Sequence, residues 1–329
     1  MSLEPDPLTI VGIETSERGF CLSLRRRVLL SVLGALAVTA ILAFVLIGRR
    51  GQFIAALHRA PVSLLVAAAV LQIVALLARS EAWNMCVRAA GGRVRRRLLF
   101  RAAGLGYLAS VVNGSVGLVA RIASLRRAAP DAAPRVGALL AAEVPIITVE
   151  IALAAIFSFT LIAPLGLPGW IPLVAVVAIA AAVAAVQRLS KRHRSGLWTG
   201  LAILRKQGRG RMIAFVLLAV CAQIARNWLM LHGIGVNVSV FDSMALLIAM
   251  FTLGQLPVGP SIGPAAAVLI LGAHGVALTA AAGALLAVTG TVGSLAYAAW
   301  AITDRILAGR LIARPEAITT PVAPAPTPG

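Results

Sequence analysis

The sequence predicts an all-α polytopic membrane protein, and three observations predict it. Of its 329 residues 60% are hydrophobic and only 12% charged, with a mean hydropathy of +0.95; a water-soluble core cannot absorb that much apolar surface. Several apolar runs reach the 18 or more residues that cross a bilayer. Two further apolar segments are interrupted by dense glycine and proline, Gly104-Leu-Gly-Tyr-Leu-Ala-Ser-Val-Val-Asn-Gly-Ser-Val-Gly117 and Gln255-Leu-Pro-Val-Gly-Pro-Ser-Ile-Gly-Pro264. Lipid-exposed backbone cannot break a helix in hydrocarbon, because each unpaired N–H or C=O there costs several kcal/mol. Broken backbone at that depth belongs inside protein or along a cavity, as in transporters.

Taken in order, residues 1–24 are polar and mixed in charge and read as a cytoplasmic N-terminal segment. Arg25-Arg26-Arg27 ahead of the first span reads as a signal anchor with its N-terminus inside. Six segments can span: 28–48, 61–87, 137–163, 171–187, 213–233 and 278–301. Between them lie the broken segments, 102–125 and 243–273. Residues 25–310 form one membrane domain with no soluble catalytic module, and the Pro-, Ala- and Thr-rich tail 311–329 is expected to be disordered.

Topology follows from counting Arg and Lys. Residues 1–27 carry four, 88–101 six, 121–135 four, 188–211 eight and 302–314 three, which is 25 of 30. If these stretches are cytoplasmic, only Arg49, Arg50 and Arg59 lie in an external loop, and Arg79 and Arg226 fall within spans. The positive-inside bias then forces a parity: 102–125 leaves the membrane on the side it came from, as a re-entrant hairpin, and 243–273 does the same from outside. The chain reads as six full spans plus two re-entrant hairpins. Span 61–87, hairpin 102–125 and span 137–163 make one unit; span 213–233, hairpin 243–273 and span 278–301 make a second of opposite sense, an inverted-topology repeat whose tips should meet near the midplane. Both termini are expected in the cytoplasm.

The net charge of +19, with 28 of 30 basic residues arginine, suits loops that set topology and touch anionic lipid; no nucleic-acid partner is expected. Cys21, Cys86 and Cys221 are isolated and the four histidines scattered, so neither a metal site nor a disulfide is expected. No nucleotide-binding motif is present, and no cofactor is expected. Residues 195–207 read as an interfacial helix on anionic lipid, with Trp198, Leu201 and Leu204 on one face.

Ionisable residues inside spans are costly and mark function by default. Glu150 and Arg226 each lie about 13 residues into their spans, about 20 Å deep at 1.5 Å per residue, and are expected to pair; Glu143 shares the face of Glu150. Two roles stand open for this set: recognition of a zwitterionic or phosphate headgroup or proton relay, and a structural ion pair between helices. Arg121, at the end of the first hairpin, suits paired hydrogen bonds to phosphate and equally suits a cytoplasmic anchor. Asn113 at the first tip can bond a ligand or freed carbonyls. Gly114 and Gly117, and Pro257, Pro260, Gly263 and Pro264 at the second tip, are read as hairpin architecture.

At the two hairpins the chain resembles the lysylphosphatidylglycerol synthase transmembrane-region family, the flippase-like domain also found in multiple peptide resistance factors. That family shows an Asn or Pro near a hairpin tip and then Gly-Glu-x-x-Arg; here the run is Asn113-Gly-Ser-Val-Gly117-Leu-Val-Ala-Arg121. Its second hairpin resembles Leu-Pro-x-x-Pro-Gly-Gly-x-Gly-x-x-Glu; here it is Leu256-Pro257-Val-Gly-Pro260-Ser-Ile-Gly263-Pro-Ala-Ala266. The Leu-Leu-Ala-Arg-Ser-Glu-Ala-Trp83 end of the second span also looks like the family. The resemblance covers about residues 25–310. It departs at Leu118 and Ala266, which stand where the family has acidic residues. It is confined to the membrane region and implies no aminoacylation of lipid. No catalytic residue is assigned.

The resemblance and the re-entrant pair with intramembrane charges together imply a protein of the bacterial inner membrane that moves or presents an anionic phospholipid or isoprenoid-linked lipid. The alternative is a non-transporting scaffold or regulator of envelope synthesis with a protein partner, which the missing acidic residues favour. A polytopic membrane transferase is a third reading, and Asp242 is the only carboxylate its external loops offer.

Overall fold

The computed structural model describes residues 33–34, 36–37, 39–41, 43–111, 114–192, 196–205, 208–254 and 262–312. Among them the secondary structure is helical, with no strand. Six helices are long and apolar enough to cross a membrane: Thr39–Arg59, Val62–Ala89, Val136–Leu165, Trp170–Arg192, Arg209–Gly233 and Val276–Leu307. The protein is an all-α polytopic membrane protein. The N-terminal segment 1–24, the tail beyond 312, Asn113, Pro257 and Pro260 lie outside the described residues.

The first span is displaced relative to the sequence expectation. Residues 49–60, expected as an external loop, continue the helix through a 3-10 turn at Ile47–Arg49 into α1 (Arg50–Arg59). Nothing in the sequence breaks a helix there until Pro61, which forces Ala60 into an extended conformation (ψ 112°). Ala56 of α1 is buried in an apolar cluster with Leu64, Met230 and Leu286.

Two long helices form the axis of the bundle. In α2 (Val62–Ala89) and α3 (Arg96–Ser110) the chain passes from a 28-residue span into a short helix of 15. The turn between them holds the next loop against it, with the Arg93 N–H donating to the Ala132 carbonyl at 3.1 Å. α4 (Gly114–Ala128) folds back along α3. Each arm is about 22 Å long, short of the ~30 Å hydrocarbon core, so the pair cannot cross. Its arms touch backbone to backbone: a Cβ on Gly117 would lie 2.7 Å from the Gly106 carbonyl oxygen, and one on Gly106 would lie 3.0 Å from that of Gly117.

The next span is α5 (Val136–Ala141) and α6 (Val144–Ile156), continued by the 3-10 turn Phe157–Leu161. The break falls three residues before Pro145, whose missing N–H leaves the Ala141 carbonyl without its helical donor and whose ring crowds it. At the break the Glu143 N–H donates to the Leu140 carbonyl instead, at 3.1 Å. α7 (Trp170–Arg192) buries only Pro172 and Ser190 and presents Trp170, Leu173 and Val177 outward, as a lipid-facing helix does. The segment Gly196–Arg205 is a 3-10 helix. Leu201 and Ile203 are buried and Gly200 lies against the α5 backbone, where a Cβ would meet the Ala138 carbonyl oxygen at 2.4 Å. This segment packs into the bundle; its small residue at 200 and its apolar content satisfy protein rather than a lipid surface.

α8 (Arg209–Gly233) is antiparallel to α2: Met212 and Val216 cluster with Trp83 and Cys86, while the site of a Gly233 Cβ would fall on the Leu64 side chain. α9 (Val240–Leu253) opens with a capping box in which the Asp242 N–H donates to Ser239 Oγ at 3.2 Å and the Ser239 N–H donates to Asp242 Oδ2 at 2.8 Å. That local task accounts for Asp242, the carboxylate the sequence led us to expect in an external loop. α10 (Ile262–Leu271) carries Pro264 in its first turn, where proline costs no hydrogen bond. Gly263 meets Gly283 of α11 (Val276–Ile312) at backbone distance, with a Cβ on either glycine only 2.5–2.6 Å from the other's carbonyl oxygen. α11 runs parallel to α2, its Tyr297 hydroxyl donating to Ser80 Oγ at 3.2 Å. Its Asp304 accepts hydrogen bonds from Arg97 and Arg101 at the base of α3.

The order long, short, short, long therefore occurs twice, as α2, α3, α4, α5–α6 and as α8, α9, α10, α11, with the leading helices antiparallel. This is the relation an inverted repeat requires. Apolar clusters occupy the two ends of the α2–α8 pair. The stretch of α2 between them, from Gln72 to Glu81, carries polar residues, and there the site lies.

Candidate functional site

A cavity of about 710 Å³ opens between α2, the α3–α4 hairpin, α6, α8 and α9. Its walls are mainly apolar, with Leu76, Leu118, Ile147, Leu247 and Phe251 among them, and four charged side chains interrupt them: Arg79, Arg121, Glu143 and Glu150. Cavities of ~300–1,000 Å³ with few polar groups are typical of ligand sites.

The charges form two ion pairs. Arg79 NH1 lies 2.6 Å from Glu150 Oε1, with the two side chains 32% and 10% exposed. The other Glu150 oxygen, Oε2, is buried with no hydrogen-bond partner. Arg121 donates to the Glu143 carboxylate, both groups buried. The guanidinium carbon of Arg121 also lies 4.4 Å from the centroid of the buried Trp83 ring, the geometry of a cation–π contact. The helix break before Pro145 and the regular helix after it put Glu143, Ile147, Glu150 and Ile151 on one wall. The close glycine contact between α3 and α4 brings Arg121 up to that wall.

Glu143, Glu150 and Arg121 thus line one cavity. The expected Glu150–Arg226 pair does not form. Arg226 is buried and donates through NH1 to Gln72 Oε1, whereas Glu150 meets Arg79, seven residues further along α2. Seven residues of helix are about 10 Å. Depth counted from the predicted span starts misplaces both residues, because α8 begins at Arg209, four residues before the expected 213, and the other span is broken at Glu143.

Gly114 begins α4 with no atom near the site of a Cβ. Gly117, Gly263 and Pro264 occupy the helix contacts described above. Leu118 stands in the cavity wall, and Ala266 is fully buried in the apolar cluster of α10 and α11. Both acidic positions of the resembled family are therefore filled by residues suited to apolar surroundings.

Sequence reasoning passed over Arg79, Tyr107 and Gln223, all in the cavity lining, and Gln72 behind it. Arg79 carried a usable signal, an arginine within a span, but it entered only as an exception to the charge distribution and within the family-like run ending at Trp83, with no site role. The glutamines carried none, since an amide in a span is not rare enough to stand out.

No family model matches the chain, and no curated protein or solved structure matches it. The geometry itself establishes the class: an all-α polytopic membrane protein whose bundle encloses a cavity with two arginine–glutamate pairs on its wall.

Proposed function

We propose that the protein binds the headgroup of an anionic or isoprenoid-linked lipid in this cavity and moves it across, or presents it at, the bacterial inner membrane, with both termini in the cytoplasm. The observation that carries this reading is the pair of ion pairs on an otherwise apolar wall. Two guanidiniums can turn paired N–H donors to a phosphate, and the apolar wall suits the first segments of a lipid tail. A buried ion pair is weak evidence for stability alone, because desolvation offsets much of its attraction; two of them facing one cavity favour a binding role. In this reading the lipid phosphate competes with Glu150 for Arg79. The short hairpin arms supply backbone that can shift without crossing the membrane, in keeping with the resemblance to the lysylphosphatidylglycerol synthase transmembrane region.

The test is transbilayer movement of fluorescent phosphatidylglycerol and of a polyprenyl phosphate in proteoliposomes. Protein-dependent movement of at least one, reduced in Arg79→Gln and Arg121→Gln, supports the proposal. Wild-type movement no faster than in protein-free vesicles for both lipids removes it.

A second reading is favoured by Leu118 and Ala266: a scaffold or regulator of envelope synthesis that keeps the membrane fold without moving lipid. Its mark is stable co-purification with a synthase while lipid movement is absent and unaffected by the arginine variants.

A further inference from the structure

Arg226 is the cation for which the cavity has no use. Its side chain is 5% exposed, and it does not line the cavity. Among the described residues the ion pairs engage Glu81, Glu143, Glu150 and Asp304, with Arg96, Arg121, Arg79, Arg97 and Arg101 opposite them; none reaches Arg226. What Arg226 has is one amide oxygen. Its NH1 donates to Gln72 Oε1, which also accepts from Gln223 Nε2 at 3.0 Å, and its Nε is buried with no partner. One position on, Asn227 is fully buried and neither of its amide atoms is hydrogen-bonded. Across from the guanidinium, α11 presents Gly290, where a Cβ would stand 3.3 Å from NH1. NH1 is in close contact with that position, and no other neighbouring side chain comes within 4 Å of it, so space opens beside the charge on that side.

A guanidinium does not shed its proton at any pH a membrane meets. Burying it without a counter-charge costs several kcal/mol, and an amide oxygen carries no net charge to offset that. The charges inside the bundle show the same deficit: Arg79, Arg121 and Arg226 against Glu143 and Glu150 leave one positive charge over. We propose that Arg226 holds a monovalent anion between α2, α8 and α11, in the space beside Gly290, bound by the terminal guanidinium N–H groups that Gln72 does not use. Gln223 lines the cavity and donates to Gln72, which accepts from Arg226, so a headgroup in the cavity meets Gln223 before Arg226. The shared chemistry is a singly charged acceptor, either a halide or the phosphodiester of a bound lipid whose headgroup intrudes from the bilayer. The inference is independent of the lipid-movement reading, because Arg226 stands outside the cavity lining.

The experiment is thermal unfolding of the purified full-length chain in detergent, followed by tryptophan fluorescence. Sodium gluconate is exchanged stepwise for sodium bromide at constant ionic strength; in a parallel series phosphatidylglycerol or phosphatidylcholine is added in gluconate. A saturable rise of the midpoint, about 5 °C near full occupancy, is expected with one of the anions. Response to bromide identifies an inorganic ion, and response to phosphatidylglycerol alone identifies a lipid phosphate. Arg226→Met removes the charge that needs a partner, so its midpoint in gluconate should equal or exceed that of wild type and should not respond to either anion. Gly290→Ala keeps the charge and fills the space, and should raise the half-saturating concentration about tenfold. It decides the matter if Arg226→Met does not fold. Failure of the wild type to respond to either anion overturns the inference, as does an undiminished response in Arg226→Met or an unchanged half-saturation in Gly290→Ala. Lipid movement measured in the same preparations is a separate outcome, and its loss or presence does not alter this one.

Discussion

Arg121 and Glu143 show what an ionisable pair does at this depth. Both are buried, and each is the other's counter-charge. Removing one member strands the other, which costs about 3–5 kcal/mol, whereas replacing both by neutral groups of similar size removes the demand. Arg121→Ala should therefore lower the melting midpoint severely, and Arg121→Met combined with Glu143→Leu should recover most of the loss; equal destabilisation by the single and double variants would contradict the pairing. Arg79 and Glu150 behave differently because Arg79 is about a third exposed, and partly solvated pairs contribute about 1 kcal/mol or less. Glu150→Gln should leave the midpoint nearly unchanged while altering lipid movement about tenfold in proteoliposomes. An unchanged rate would remove Glu150 from the residues that handle the lipid. At this scale the sequence supplied the candidates, since a carboxylate or arginine inside an apolar span stands out unaided. It could not supply partners: one helical turn of error in a span boundary moved Arg226 from Glu150 to Gln72.

The hairpin α3–α4 is the element on which the site depends, because it carries Arg121 to Glu143. Its arms approach through Gly106 and Gly117, and a side chain larger than hydrogen at 117 would collide with both the Gly106 carbonyl and Ser110 Cβ, the latter at 2.6 Å. Gly117→Leu should part the arms, cost about 1–3 kcal/mol or more by overpacking, and abolish lipid movement together with stability. Gly114 has open space at the start of the same helix, so Gly114→Ala should be neutral or stabilising by about 0.5–1 kcal/mol. Comparing the two melting midpoints separates contact from composition. The sequence marked both glycines as helix breakers without distinguishing them. Only the packing of the two arms shows that Gly117 is required by an approach and Gly114 is not.

For the molecule as a whole, the antiparallel α2 and α8 and the parallel α2 and α11 make the two halves opposite in sense, as the charge count required. Single cysteines tested by impermeant labelling, after replacement of Cys21, Cys86 and Cys221, should place Arg93→Cys and Asp131→Cys, which flank the first hairpin, on one face of the membrane and Asn237→Cys and His274→Cys, which flank the second pair of short helices, on the other. Labelling of positions 93 and 131 from opposite faces would remove the hairpin topology and the lipid reading with it. By itself the sequence determined the class, the six spans within about ten residues and the two pairs of short helices between them, because each depends on one-dimensional quantities: hydropathy per window and breaker residues. The tertiary structure alone decided which charges meet, that the segment at 196–205 packs inward, and that Arg226 meets no carboxylate among the described residues. Those outcomes depend on helix rotation and axial offset, and a shift of a few residues in where a helix starts changes both without leaving any mark on composition or pattern.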